Sequence, residues 1–165
     1  MQRSSLRRHP RFGLSRASTR AGFTLIELLM VMVVIGLLAQ IGSQKYWGYL
    51  VRVKVAAAIG DIKAIQTDID SFEQENNRLP NTLGEIGRAA ALDPWGNPYQ
   101  YLRFPGGAPP GGARQDRFSI PVNSTYDLYS NGADASSSAP LTAAQSRDDI
   151  VRANDGGFIG AGTNF

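Results

Sequence analysis

The sequence predicts an α+β chain, in which one long helix precedes a small domain built on an antiparallel sheet. Three observations predict it. Residues 23–41 form an apolar run broken by a single charge, Glu27. From Val55 to Phe72, apolar residues return every three or four positions. Beyond Pro80 the pattern changes to short alternating segments separated by Gly, Pro and Asn.

The apolar run comes first. Its 19 residues approach the roughly 20 that a helix needs to cross a bilayer. Small residues, Ala21 and Gly22, precede the run. An ordinary secretory signal is cut after its apolar region and loses it, so cleavage here would instead retain the anchor. A carboxylate inside hydrocarbon costs about 3 kcal/mol on insertion scales, so Glu27 calls for a partner and a purpose. The plain alternative is an uncleaved signal anchor with an incidental acid.

The helix continues past Ile41. Val55, Ile59, Ile62, Ile65 or Gln66, Ile69 and Phe72 share one face, with Lys54, Asp61, Lys63, Asp68, Asp70 and Glu73 between them. No proline occurs between Phe23 and Arg78. Asn76-Asn77 and Pro80 supply the stop. A helix of about 53 residues would run roughly 80 Å. Gly36, Gly42, Gly48 and Gly60 weaken it by about 1 kcal/mol each relative to Ala.

After Pro80, residues 83–91 read as a short helix. The string Asp93-Pro94-Trp95-Gly96-Asn97-Pro98-Tyr99 holds two turn signals around an aromatic. Alternation then predicts three strands, 99–103, 117–122 and 125–129, joined by a Gly/Pro loop at 105–112 and a tight connection at Ser124. Three strands packed on a helix are stable where a lone hairpin is not. Residues 156–165 are Gly-rich and read as irregular.

Charge and composition exclude several classes. The formal net charge is +3, with 17 basic and 14 acidic residues. Six of the basic ones, Arg3, Arg7, Arg8, Arg11, Arg16 and Arg20, lie in residues 1–22, where there is no acid. The remaining 11 against 14 sum to −3. The basic character therefore belongs to the first 22 residues, where it fits a positive-inside signal and not a nucleic-acid footprint. The one histidine, His9, lies in the same stretch, and there is no cysteine. Beyond residue 22 there is neither an imidazole base nor a thiol nucleophile. No phosphate-binding loop or dinucleotide fingerprint occurs. The chain reads as a non-enzyme.

The stretch Gly22-Phe23-Thr24-Leu25-Ile26-Glu27 resembles the processing site of type IV pilins and of the pseudopilins of type II secretion. The resemblance implies a type IV pilin-like fold with a long C-terminal loop. It divides the chain into a basic leader (1–22), a transmembrane and assembly helix (23–45), an amphipathic stem (46–79) and a head (80–165). It implies cleavage between Gly22 and Phe23 by a prepilin peptidase, N-methylation of Phe23, and Glu27-dependent assembly of identical subunits into a helical filament. Minor pseudopilins and an inner-membrane assembly platform are the implied further partners. The implied location is the bacterial inner membrane, single-pass, with the head in the periplasm and the filament there or at the cell surface.

Two more strings resemble the major pseudopilin. The Asp93–Tyr99 string resembles the loop before its sheet, and turn chemistry accounts for it structurally. Tyr126-Asp127-Leu128-Tyr129-Ser130-Asn131-Gly132-Ala133-Asp134, with the later Asp148-Asp149-Ile150, resembles its last strand and the loop that binds calcium in that family. The resemblance thus implies a calcium site at Asn131, Asp134, Asp148 and Asp149, and oxygen ligands on a flexible loop suit that ion. Without a metal, the same string is a solvated serine-rich loop. The chain departs from the family in two places. The usual proline near Gln44 is missing, and residues 135–142 replace a glycine-rich stretch. The lack of cysteine favours a pseudopilin over the many pilins that close this loop with a disulfide. The alternatives are a type IV pilin for adhesion or motility, or a monomeric membrane-anchored binding module.

Overall fold

A computed structural model of the chain describes residues 22–165. The leader expected over 1–22 therefore lies, up to Ala21, outside the described residues. One helix, α1, spans Leu25–Asn76, and four strands follow: β1 (Gln100–Arg103), β2 (Tyr126–Ser130), β3 (Ile150–Ala153) and β4 (Phe158–Ala161). The chain separates into two compact units between Ser43 and Gln44.

In the first unit, the apolar side chains from Leu25 to Ile41 are exposed. Among the described residues, none packs against them. By length and composition, α1 is able to cross a membrane. The continuity of α1 through residue 44 agrees with the missing proline.

The second unit holds the core. Ala58, Ile62, Ile65 and Ile69 on α1 are fully buried, at spacings of four, three and four. This is the apolar stripe of the amphipathic segment, with Val55 and Ile59 half-buried at its edge. Against it pack Leu83, Tyr99, Tyr126, Leu128 and Ile150. Each fully buried aliphatic side chain stabilises the head by about 1.5–3 kcal/mol relative to exposure. α1 stops at Asn76, and Asn77 takes a left-handed φ of 52°. Only a 3-10 turn, Leu83–Ile86, forms where a short helix is expected. Gly87 ends it in the left-handed region.

The sheet is an antiparallel meander in the order β1-β2-β3-β4. Tyr101 pairs with Leu128 and Ile150 with Ala161, and these side chains face α1. The opposite face carries a second cluster, Val122, Leu141, Val151 and Ala153, with Tyr129 and Phe158 beside it. Period-two alternation thus gives the sheet two buried faces. The helix covers one, and the β1–β2 and β2–β3 connections cover the other.

The sheet corrects the three-stranded expectation in two places. Residues 117–122 form no strand. The Asp116 carboxylate accepts the N–H groups of Phe118 (2.8 Å) and Ile120 (2.9 Å), Ser119 adopts φ 60°, and Phe118 and Ile120 point to solvent. Local turn chemistry overrides the alternation there. In contrast, the tail is ordered. Asn154, Asp155 and Gly156 take φ of 51°, 50° and 94°, and fold Phe158–Ala161 back onto β3. A Cβ at Gly156 would stand 2.4 Å from the Gln66 amide, which would have to move, and the φ of 94° favours glycine.

Candidate functional site

The N-terminal motif begins outside the helix. Gly22, Phe23 and Thr24 have no regular structure, and Phe23 is 85% exposed. A Cβ built on Gly22 meets nothing within 4 Å. Among the described residues, nothing places a steric demand for glycine at the expected cleavage point.

Thr24 and Glu27 form a capping box. The Glu27 N–H donates to Thr24 Oγ1 at 3.3 Å, while Glu27 Oε2 accepts from the Thr24 N–H at 3.2 Å and hydroxyl at 3.1 Å. Two helix-end donors that would otherwise lack partners are satisfied reciprocally. The carboxylate also sits at the positive end of the helix dipole, where a negative charge is favoured. The Thr-x-x-Glu string ahead of an apolar run carries this signal in the sequence, beside the charge that calls for a partner. An ionised carboxylate has about four acceptor positions, so the cap leaves capacity for a second donor.

The C-terminal loop is organised differently from the expectation. Asp93 ties two motifs together. Its Oδ1 accepts the N–H groups of Trp95 (3.0 Å) and Asn97 (2.8 Å), and its Oδ2 accepts the Ser130 hydroxyl (2.5 Å). Asn97 Nδ2 reaches the Gly132 carbonyl at 3.0 Å. The turn before the sheet thus anchors the corner where the long loop begins.

The four residues expected at a calcium site have separate roles. Asp134 Oδ1 accepts the Ser136 N–H at 2.8 Å, a local turn. Asp148 Oδ2 accepts the N–H groups of Ala133 (2.7 Å) and Asp134 (3.1 Å), tying one end of the loop to the other. Gly132, at φ 67°, lies against Asp148, and an added Cβ would come within 2.5 Å of the Asp148 carbonyl oxygen. Asp149 is fully buried, and its Oδ2 receives Arg114 Nη2 at 2.5 Å and the Ser137 hydroxyl at 2.6 Å. Burial pushes the Asp149 carboxyl above the ordinary carboxylate range, and the Ser137 hydrogen bond and Arg114 charge oppose that rise. Asn131 Oδ1 and Asp149 Oδ1 are buried without a hydrogen-bond partner. Two side-chain oxygens alone do not make the shell of six to eight that calcium takes, the rest of which would have to come from backbone carbonyls, water and the second oxygens of Asp134 and Asp148. Among the described residues, no group of three or more His, Cys, Asp or Glu side chains is placed to hold a metal ion. The residues do not fit a carboxylate cage.

Arg114 is the residue missed by the sequence reading. It lies in the β1–β2 connection and is 2% exposed. Its backbone N–H donates to Asp127 Oδ2 at 2.6 Å, and its guanidinium stacks 4.5 Å above the Tyr129 ring. On the opposite face of the sheet, Arg152 lies 3.9 Å over Tyr126 and reaches Gln66 on α1 at 3.3 Å. No spacing rule connects positions 35 residues apart, so the Arg114–Asp149 pair carries no sequence signal.

Comparison with known proteins places these features in a family. The model of the prokaryotic N-terminal methylation motif matches residues 17–39. The type II secretion system core protein G of Pseudomonas aeruginosa is 32% identical over 136 residues, covering 70% of this chain and 84% of that protein. The Escherichia coli protein of the same description is 31% identical over 134 residues, covering 68% and 81%. A type IV major pilin of Myxococcus xanthus is 39% identical over 80 residues, covering 48% of this chain and 35% of the pilin. No solved structure gives a significant match. With its methylation motif, its long helix on an antiparallel sheet and these relatives along most of its length, the chain belongs to the type II secretion core protein G family of type IV pilin-like proteins.

Proposed function

We propose that this membrane-anchored bacterial protein is the major pseudopilin of a type II secretion system, a structural subunit and not an enzyme. A prepilin peptidase cuts between Gly22 and Phe23 and methylates the new Phe23 amine. Identical subunits then associate through the apolar half of α1 into a helical filament. The observation that carries this reading is the coincidence of the methylation motif with a capped helix whose apolar side chains are exposed. Such a surface is stable in lipid or among copies of itself, and not in water. The anchor lies in the inner membrane with the head in the periplasm, since the arginines before Gly22 favour the cytoplasmic side. Minor pseudopilins and an inner-membrane assembly platform are the proposed partners.

The test is intact-mass measurement of the native protein together with imaging of filaments in cells expressing the secretion machinery. A mature chain starting at N-methyl-Phe23 and present in filaments is expected. A species retaining the leader, or cut after residue 41, would overturn the reading. The similarity to a type IV major pilin supports a second reading, a pilus for adhesion or motility. Deleting the gene separates the two. Loss of exported enzymes with surface pili intact supports secretion, and the reverse supports a pilus.

A further inference from the structure

We infer that the cation holding the C-terminal loop is the guanidinium of Arg114, and that this chain requires no divalent ion at that loop. The loop between β2 and β3 spans residues 131–149. Ordering a segment of that length carries a large entropic cost, so some constraint must hold it. Arg114 grips it at two separate places. Nη1 donates to the Ser137 hydroxyl and, at 2.5 Å, to the Ser138 carbonyl, while Nη2 pairs with Asp149 at the far end. Ser137 closes the triangle by donating to Asp149. Ser146 reinforces the same point, accepting the Ser138 N–H at 3.0 Å and donating to the Ser138 carbonyl at 2.8 Å. Residues 135–142 thus supply the acceptors that a guanidinium needs.

The geometry suits arginine specifically. A planar fork serves a hydroxyl, a carbonyl and a carboxylate at once, which a point charge does not. Both charged partners are buried, and a buried carboxylate without a counter-charge is strongly unfavourable. The Tyr129 ring shields the cation from the sheet side. A calcium ion recruited to Asp149 would lie beside a fixed positive charge in a poorly screened interior, where like charges repel strongly. Asp148 and Asp134 are each tied to backbone N–H groups through one oxygen, which leaves only their second oxygens open.

The experiment uses the full chain purified in mild detergent, with head unfolding followed by near-ultraviolet circular dichroism and loop opening by limited proteolysis. The wild-type melting temperature should be the same in calcium chloride and in EDTA, with no stoichiometric metal in the purified protein. Calcium-dependent melting with bound calcium in the purified protein would overturn the inference. Arg114→Gln should lower the melting temperature by roughly 10–20 °C and expose the 131–149 segment to protease first. Arg114→Lys should not restore it, because the fork is lost. Should Arg114→Gln fail to fold, Ser137→Ala tests the same contact with one hydroxyl removed, and preferential cleavage within 131–149 is expected again. Melting and cleavage like the wild type in Ser137→Ala, or in a folded Arg114→Gln, would sink the proposal.

Discussion

The Glu27 carboxylate closes the helix cap with Thr24 while retaining acceptor positions for another donor. If subunits assemble as proposed, the Phe23 ammonium of a neighbouring subunit would be the second donor and would offset the cost of a carboxylate in hydrocarbon. Glutamine separates the two roles, because it serves in a capping box but carries no charge. Glu27→Val removes the charge and the reciprocal half of the box, while the residue 27 N–H can still donate to Thr24. Both variants are expected to enter the membrane and be processed, and both to lose most filaments. The measurement is the yield of sheared filaments against total mature subunit. Wild-type yield from Glu27→Gln would reduce Glu27 to a cap. Gly132 makes a second residue-scale case. Its positive φ and the proximity of Asp148 mean that Gly132→Ala should destabilise the head by more than about 1 kcal/mol, read as a lower melting temperature.

At the scale of elements, the β3–β4 hairpin shows what a sequence makes legible. Asn154-Asp155-Gly156 between two short apolar segments is a hairpin signal, yet the Gly-rich tail masks it. The α1 stripe is fully legible, because helical period and burial coincide at Ile62, Ile65 and Ile69. Residues 117–122 mislead for the opposite reason. Their alternation is genuine, but Asp116 turns the chain before a ladder forms. Asp155 holds the hairpin corner. It accepts the Ser124 N–H at 2.9 Å and hydroxyl at 2.6 Å, and the Thr125 hydroxyl at 3.2 Å. Burial pushes its pKa up, but the Ser124 and Thr125 hydrogen bonds outweigh that and hold the carboxyl below the ordinary aspartate range. A group whose folded pKa is depressed contributes stability above its unfolded value, about 3.9 for aspartate, and loses it as pH falls through the folded one. Asp155→Asn should therefore melt below the wild type at neutral pH, and the gap should narrow as pH falls from about 5 to about 3. A gap unchanged across that range would show that the carboxylate charge is irrelevant.

On the scale of the whole molecule, two compact units have different requirements. The head buries its own core on both faces of the sheet. The residues before Gln44 present apolar side chains that none of the described residues covers, a surface suited to lipid or to other subunits. That division was legible from the apolar run and the amphipathic stripe. The closure of the loop was not, because it depends on Arg114 from a different connection. Processing tests the independence of the two units. The space around Gly22 is open, so a larger side chain there should leave the fold untouched and act on the peptidase alone. Gly22→Ile is expected to remain in the membrane fraction at the mass of the uncut precursor, without filaments, and with a head melting temperature within about 1 °C of the mature protein, as befits a change that buries nothing. Membrane fractionation, intact mass and the melting curve read the three properties separately. Efficient cleavage of Gly22→Ile would show that the peptidase does not read this glycine. A shifted melting curve would instead show that the head depends on the state of the N-terminus.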